Sequence, residues 1–283
     1  MSFKTRQSKA YQVLILLMAG GTGFFAQAQF TPDEIAQRSQ WEDFLQTAQV
    51  VKFEYIGEGV TKPIRVFLKQ GDIEHKAAFK YSHGMQQGFW EGWQYEIAAY
   101  RMDKLLDLNM IPPAVERELD GKKGAFSFWA ESQTSLLKMM EQGLSTPAAA
   151  RDHTEKMKYL TRAFDSLIAN EDRNQQNILF TEDWRTILID HSRAFRSSQA
   201  FTEKLMFGAN GIQKHADGSP FLFRQLPRAF VEKVKSLSFE SVQGAVGPYL
   251  TDEEIRAVLT RKDLLLDEIA TMIKEKGEPD VLY

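Results

Sequence analysis

The chain has 283 residues, 43% of them hydrophobic, which suits one large domain or two lobes with a shared core. A net charge of −3 gives no electrostatic case for nucleic acid or an anionic membrane surface as partner. The absence of cysteine excludes thiol catalysis, disulfides and Cys-ligated zinc, and the five histidines (His75, His83, His153, His191, His215) show no metal-ligand spacing.

The first 28 residues read as an address. Lys4, Arg6 and Lys9 form a positive start, Val13 to Phe25 is largely apolar, and Ala26-Gln27-Ala28 has the small-x-small form of a cleavage site. This predicts a signal peptide over 1–28, cleaved near Ala28, and a secreted or periplasmic protein with no stable membrane span after cleavage. The apolar run is short against the roughly 20 residues that a spanning helix needs.

From Phe30 to Val50 the pattern predicts a helix. Thr31 serves as N-cap, Pro32 takes the first helical position, and Glu34 completes a capping box. Residues 52–81 predict three strands, KFEYIGEGV, IRVFLKQGDI and HKAAFKY. Gly57-x-Gly59 lies between the first two and Gly71 between the last two. A helix is predicted from Trp90 to Leu108, with Tyr95, Ala98, Ala99, Met102, Leu105 and Leu106 on its apolar face. It carries Glu96, sixteen residues after Lys80, and Pro112-Pro113 ends the region. Asp120-Gly121 then marks a hairpin turn between 114–119 and 124–130.

A long helix is predicted over 151–169, delivering the polar loop Asn170 to Asn177, NEDRNQQN. Ile178-Leu179-Phe180, a turn at 181–183 and the run Trp184 to Ile189 form a β-hairpin that closes on Asp190. Asp172 and Asn177 stand at the ends of D-x-x-x-x-N. That is the interval of a kinase catalytic loop, in which the Asp accepts the substrate hydroxyl proton and the Asn holds metal. Asp190, thirteen residues further on, can return to the same place as a second metal ligand. Phosphoryl transfer calls for this set because it is mostly positioning and charge neutralisation around a metal-bound triphosphate. A polar stretch from Arg196 to Pro220 offers an activation or substrate loop, and helices over 226–237, 238–246 and 252–276 complete the chain.

These features combine into one expectation. The fold class is α+β, a bilobal protein-kinase-like fold with an N-lobe over 29–131 and a C-lobe over 132–283. AAFK, ending at Lys80, has the form of the V-A-I-K strand, so Lys80 would hold the α/β-phosphates and Glu96 would orient it, with Lys69, Lys76 and Glu91 as rivals. Gly57 and Gly59 would cover the nucleotide phosphates, and the backbone near Phe128 to Glu131 would meet the adenine.

N-x-D-R-x-x-x-N at 170–177, L-I-D-H-S-R-A-F at 188–195 and E-I-A-A-Y-R at 96–101 with a following I-P-P resemble the atypical kinases. The closest flavour is the secretory-pathway kinases of the "family with sequence similarity 20" and four-jointed type, with HipA-type and phosphoinositide 3/4-kinases sharing the plan. The resemblance spans about residues 50–275. It implies an ATP-dependent kinase using Mg²⁺ or Mn²⁺, with Asp172 as the catalytic acid/base, Asn177 and Asp190 as metal ligands, and a protein or glycan hydroxyl as acceptor. The alternative is a secreted pseudokinase that binds a nucleotide or partner without transfer. Asn174 stands where these relatives have His, and His191-Ser192 follows Asp190 where protein kinases have Phe-Gly.

Overall fold

The structure is a computed structural model that describes residues 30–56 and 63–283. Gly57, Gly59 and the segment 1–28 lie outside the described residues.

Two short helices open the described chain, α1 (Pro32–Ala36) and α2 (Arg38–Thr47), where the sequence suggested one. The capping box forms as expected: the Thr31 N–H donates to Glu34 Oε2 at 2.6 Å and the Glu34 N–H to Thr31 Oγ1 at 3.3 Å. Strands β1 (Gln49–Tyr55), β2 (Ile64–Gln70) and β3 (Ile73–Lys80) follow. A two-stranded ribbon, β4 (His83–Gln86) and β5 (Phe89–Gly92), precedes α3 (Gln94–Leu105). The helix therefore starts at Gln94, not Trp90. Residues 89–92 pair instead with β4 around Gln87-Gly88, both at positive φ, and the Gly92 N–H donates to the Ser192 carbonyl at 2.9 Å.

Next come β6 (Ala114–Leu119), β7 (Lys122–Phe128), β8 (Thr134–Ser135), α4 (Leu136–Glu141) and α5 (Arg151–Leu167). The first large sheet is antiparallel with order β1-β2-β3-β7-β6. Strands β9 (Ile178–Phe180) and β10 (Thr186–Leu188) make the expected hairpin, and β9 also pairs with β8. Helices α6 (Gln199–Thr202), α7 (Arg228–Lys235), α8 (Phe239–Val246), α9 (Asp252–Lys276) and α10 (Glu278–Val281) close the chain. The N-terminal part is sheet-rich and the C-terminal part helical, the α+β division that the sequence predicts.

Period-two alternation on β2 and β3 decides what faces inward. Ile64, Val66, Leu68, Ala77 and Phe79 are buried in a cluster with Phe44, Leu45 and Phe126 of α2 and β7. Their alternates, Arg65, Ala78 and Lys80, therefore turn to the opposite face of the sheet. A larger cluster joins α3 to α5, α7, α8 and α9. Helix α3 thus packs against the sheet and also against the helical part.

The segment after Phe195 is less open than its polarity suggests. Leu205, Met206 and Phe207 are buried, and Arg261 of α9 pins the segment from beneath. The Arg261 guanidinium is fully buried and donates to the carbonyls of Leu167 at 2.9 Å, Arg196 at 2.7 Å and Phe201 at 3.3 Å. Burial without a carboxylate partner pushes its pKa down to about 9. This side chain ties the end of α5 to the segment that follows Phe195. Arg261→Ala is expected to destabilise the protein by about 3 kcal/mol, because three carbonyls, one buried and two partly buried, lose a donor and a large buried side chain leaves a void. A urea midpoint equal to the parent's would show that Arg261 is not a strut.

Candidate active site

A cleft of about 630 Å³ lies between the face of the sheet that carries Arg65, Ala78 and Lys80 and the β9–β10 hairpin. Its wall includes Lys80, Glu96, Asp172, Asn177 and Asp190, so all five described residues singled out from sequence line one cavity. The tertiary structure also chooses among the lysines. Lys69 pairs with Glu74 and Lys76 with Glu131, and both lysines are exposed. Lys80 points into the cleft, with its Nζ 2.7 Å from Glu96 Oε1 and 2.5 Å from Asp190 Oδ1. Burial by itself would lower the Lys80 pKa, but the Asp190 and Glu96 carboxylates outweigh it and hold the ammonium above its usual range. Burial likewise opposes ionisation of Glu96, yet the Lys80 charge and the His191 contact keep its carboxyl well below the usual range.

The polar loop is held by a network that sequence reading did not resolve. Arg173 grips Asp165 of α5 with two nitrogens, at 2.9 and 3.0 Å. It also donates to the carbonyls of Asn177 at 3.1 Å and Ile189 at 2.8 Å, and lies 2.7 Å from His191 Nε2. A planar guanidinium with several fixed donors suits this task, since one side chain sets both flanks of a loop. Asn170 contributes by donating to Asp165 Oδ1 at 3.0 Å and accepting from the Asp172 N–H at 3.3 Å.

His191 is fully buried between Arg173 and Glu96, where the sequence comparison with protein kinases placed a Phe. Its N–H donates to Glu96 Oε2 at 3.1 Å. Burial and the neighbouring Arg173 charge lower its pKa, favouring the neutral ring. A polar chain therefore runs from Lys80 through Glu96, His191 and Arg173 to Asp165. Asp190 itself has φ 61°, a left-handed conformation that Asp adopts more readily than most residues. That turn separates the direction of Asp190 from that of His191, so one side chain meets the cleft while the next enters the interior.

Asp172 is half-buried. Burial and the Asp190 charge raise its pKa, while Arg193 opposes them. Two neighbours were missed or misplaced from sequence. Glu91, read as an end-of-helix competitor of Glu96, is a buried residue of β5 and holds Arg193 Nε at 2.5 Å. Arg193 in turn places Nη1 3.6 Å from Asp172 Oδ2. The only sequence signal for Arg193 was its place three residues after Asp190. The stretch expected to meet a base lines the cleft through Phe128, Trp129 and Ala130. The N–H groups of Phe128 and Trp129 are already committed, to the carbonyls of Pro113 at 2.8 Å and Lys76 at 3.1 Å.

Among the described residues no group of three or more His, Cys, Asp or Glu side chains could hold a metal ion by itself. The donor set nonetheless fits a cation shared with phosphates. Asn177 spends its amide nitrogen on the Asp172 carbonyl at 3.3 Å, which leaves its oxygen as the ligand atom. Both recorded contacts of Asp190, to Lys80 and to Ser192 Oγ, use Oδ1, and its side chain stays 31% exposed. Mg²⁺ is commonly held by one or two protein oxygens with substrate phosphates and water completing the shell.

No family model matches the sequence, and no curated protein matches it. Solved structures do. A Fam20 protein of hydra with sugar superposes with a TM-score of 0.59 at 15% identity, over 89% of this chain and 94% of that one. The Golgi casein kinase with Mn and ADP bound gives a TM-score of 0.59 at 13% identity, over 88% of this chain and 79% of that one. The proinflammatory kinase CtkA of Helicobacter pylori gives 0.50 at 10% identity, over 82% and 96%. At such identities the likeness speaks for the fold alone. With the sheet, the helix bearing Glu96 and the hairpin bearing Asp190 arranged as above, the chain has an atypical kinase-like fold of the Fam20 type.

Proposed function

We propose that the protein is an ATP-dependent kinase that phosphorylates an alcohol group on a protein or glycan, with Mg²⁺ or Mn²⁺. One observation carries the reading: Lys80, largely shielded from solvent, is paired with both Glu96 and Asp190 in a cleft that also holds Asp172 and Asn177. Scattered polar residues from four distant segments converge there, as phosphate chemistry requires. The Golgi casein kinase structure, with Mn and ADP bound, adds support for a nucleotide and a divalent metal.

In this reading Glu96 holds Lys80 straight so that its ammonium meets the α/β-phosphates. Asn177 and Asp190 would hold the metal, which neutralises phosphate charge. Asp172 accepts the acceptor's hydroxyl proton. The acceptor oxygen bonds to the γ-phosphorus as the bond to the β–γ bridging oxygen breaks, and ADP leaves. Gly57 and Gly59 are proposed to cover the phosphates. The lobes are proposed to divide between Glu131 and Ser132, and the segment 1–28 to direct export. Among the described residues no helix is long and apolar enough to cross a membrane.

The test is a titration of ATP with Mn²⁺, followed by a phosphate-transfer screen against proteins and glycans. Lys80→Met is expected to weaken Mn–ATP binding by about tenfold, the cost of one charge-assisted phosphate contact of ~1.4 kcal/mol. A parent chain that binds no nucleotide with Mn²⁺ or Mg²⁺ would sink the kinase reading.

A further inference from the structure

Resting on the kinase reading above, we propose that Arg193 is a positioning residue for Asp172, set in place by Glu91 of the β4–β5 ribbon. Four observations bear on it. Arg193 lines the cleft, yet its side chain is only 11% exposed. Its Nε is 2.5 Å from Glu91 Oε1. Its Nη1 is 3.6 Å from Asp172 Oδ2. Its Cζ lies 4.3 Å from the centre of the Phe89 ring, on the same strand as Glu91.

A guanidinium is a rigid planar fork, so fixing Nε and one face fixes where Nη1 points. Glu91 is 1% exposed and cannot swing away into solvent. Phe89 covers the guanidinium face and limits rotation about the Nε contact. The remaining end then meets Asp172, a carboxylate to which its own loop adds an Asn174 side-chain hydrogen bond, and for which no second cation lies within ion-pair distance among the described residues. The ribbon is locked to the same segment twice more, through the Gly92 N–H on the Ser192 carbonyl and the Arg196 guanidinium on the Trp90 carbonyl. The stretch that precedes α3 is thus built as a brace for the acceptor side of the site.

Arg193 is already neutralised by Glu91 and Asp172. In the proposed assignment Lys80 and the metal hold the phosphates and Arg193 acts on Asp172, so the effect of losing it should fall on turnover rather than on nucleotide affinity. A carboxylate displaced by about 1 Å loses on the order of 100-fold in rate.

The experiment uses the whole chain, with Mn²⁺, ATP and water as acceptor, and reads phosphate release alongside nucleotide affinity and thermal unfolding. Arg193→Gln is expected to lower kcat by roughly 100-fold while the Mn–ATP Kd stays within about twofold. Arg193→Lys, which keeps the charge but loses the fork, should recover part of the rate, and Glu91→Gln should fall near it. In an Asp172→Asn background Arg193→Gln should cost little more, because a residue acting through Asp172 has nothing left to position. Three results overturn the inference. One is an unchanged kcat in Arg193→Gln, and another is a fully multiplicative loss in the double variant. The third is a fall in nucleotide affinity matching the fall in kcat. A parent that binds Mn–ATP but releases no phosphate also overturns it, whereas a parent that binds no nucleotide removes the kinase reading beneath it.

Discussion

Asp190→Ala is expected to lose metal-dependent nucleotide binding, with Mn–ATP affinity falling by at least about 100-fold, or ~2.7 kcal/mol. The carboxylate stands at the junction of the two halves of the site. It contacts Lys80 and accepts from Ser192 Oγ, and its backbone turn directs His191 under Glu96. Removing it takes away the proposed metal's one anionic ligand. It also leaves Lys80 with Glu96 as its single carboxylate partner. The triphosphate then meets a site whose charge is poorly matched. Asp190→Asn is the control for shape, because it keeps the turn and removes only the charge. Affinity measured with Mn²⁺ and with chelator separates the metal's share from that of Lys80. Equal binding by the parent and Asp190→Ala would take Asp190 out of the metal site, and with it the main support for the kinase reading.

Asp172→Ala should show the opposite pattern, with transfer falling by roughly 10² to 10⁴ and nucleotide binding nearly unchanged. Asp172 touches the nucleotide's main anchors only through its backbone carbonyl, which accepts from Asn177. Its carboxylate pairs with Arg193, and no ion pair joins it to Lys80. Losing it raises the barrier to proton removal without dismantling the phosphate contacts. Asn177→Ala should fall between the two aspartate variants in binding, since a neutral ligand contributes less than a carboxylate. The measurement is a Mn–ATP titration beside a transfer assay on all three variants. A loss of affinity in Asp172→Ala as large as in Asp190→Ala would place Asp172 in the nucleotide site and remove its separate role.

Much of the fold was legible because it is written in local chemistry. The capping box at Thr31, the Asp120-Gly121 turn and the alternation on β2 and β3 depend on neighbours a few residues away. Each was read close to its observed bounds, and α9 at both ends. The error at residues 90–93 has the same root seen from the other side. WEGW carries no strong helix breaker, so local signals extend the helix back to Trp90. Long-range bonds to Ser82 and Ser192 hold those residues in a ribbon instead.

The site divides the same way. Sequence by itself determined the members that sit at a motif's spacing: Lys80, Glu96, Asp172, Asn177 and Asp190, together with the turn chemistry that brings the last three near one another. Only the tertiary structure decided the partners. It chose Lys80 over Lys69 and Lys76: all three share one face of the sheet, but only Lys80, at the end of β3, comes within reach of Glu96 and Asp190, while the others lie further along beside Glu74 and Glu131. It assigned Glu91 to Arg193, joined Arg173 to Asp165 and His191, and buried Arg261 beneath the segment after Phe195. Those contacts span 8 to 102 residues of chain, and a guanidinium's partner depends on which donors and acceptors share its small volume. Burial then gives the choice its weight: a charge removed from water has to find its opposite or a set of carbonyls, and only the packed chain determines which ones are in reach.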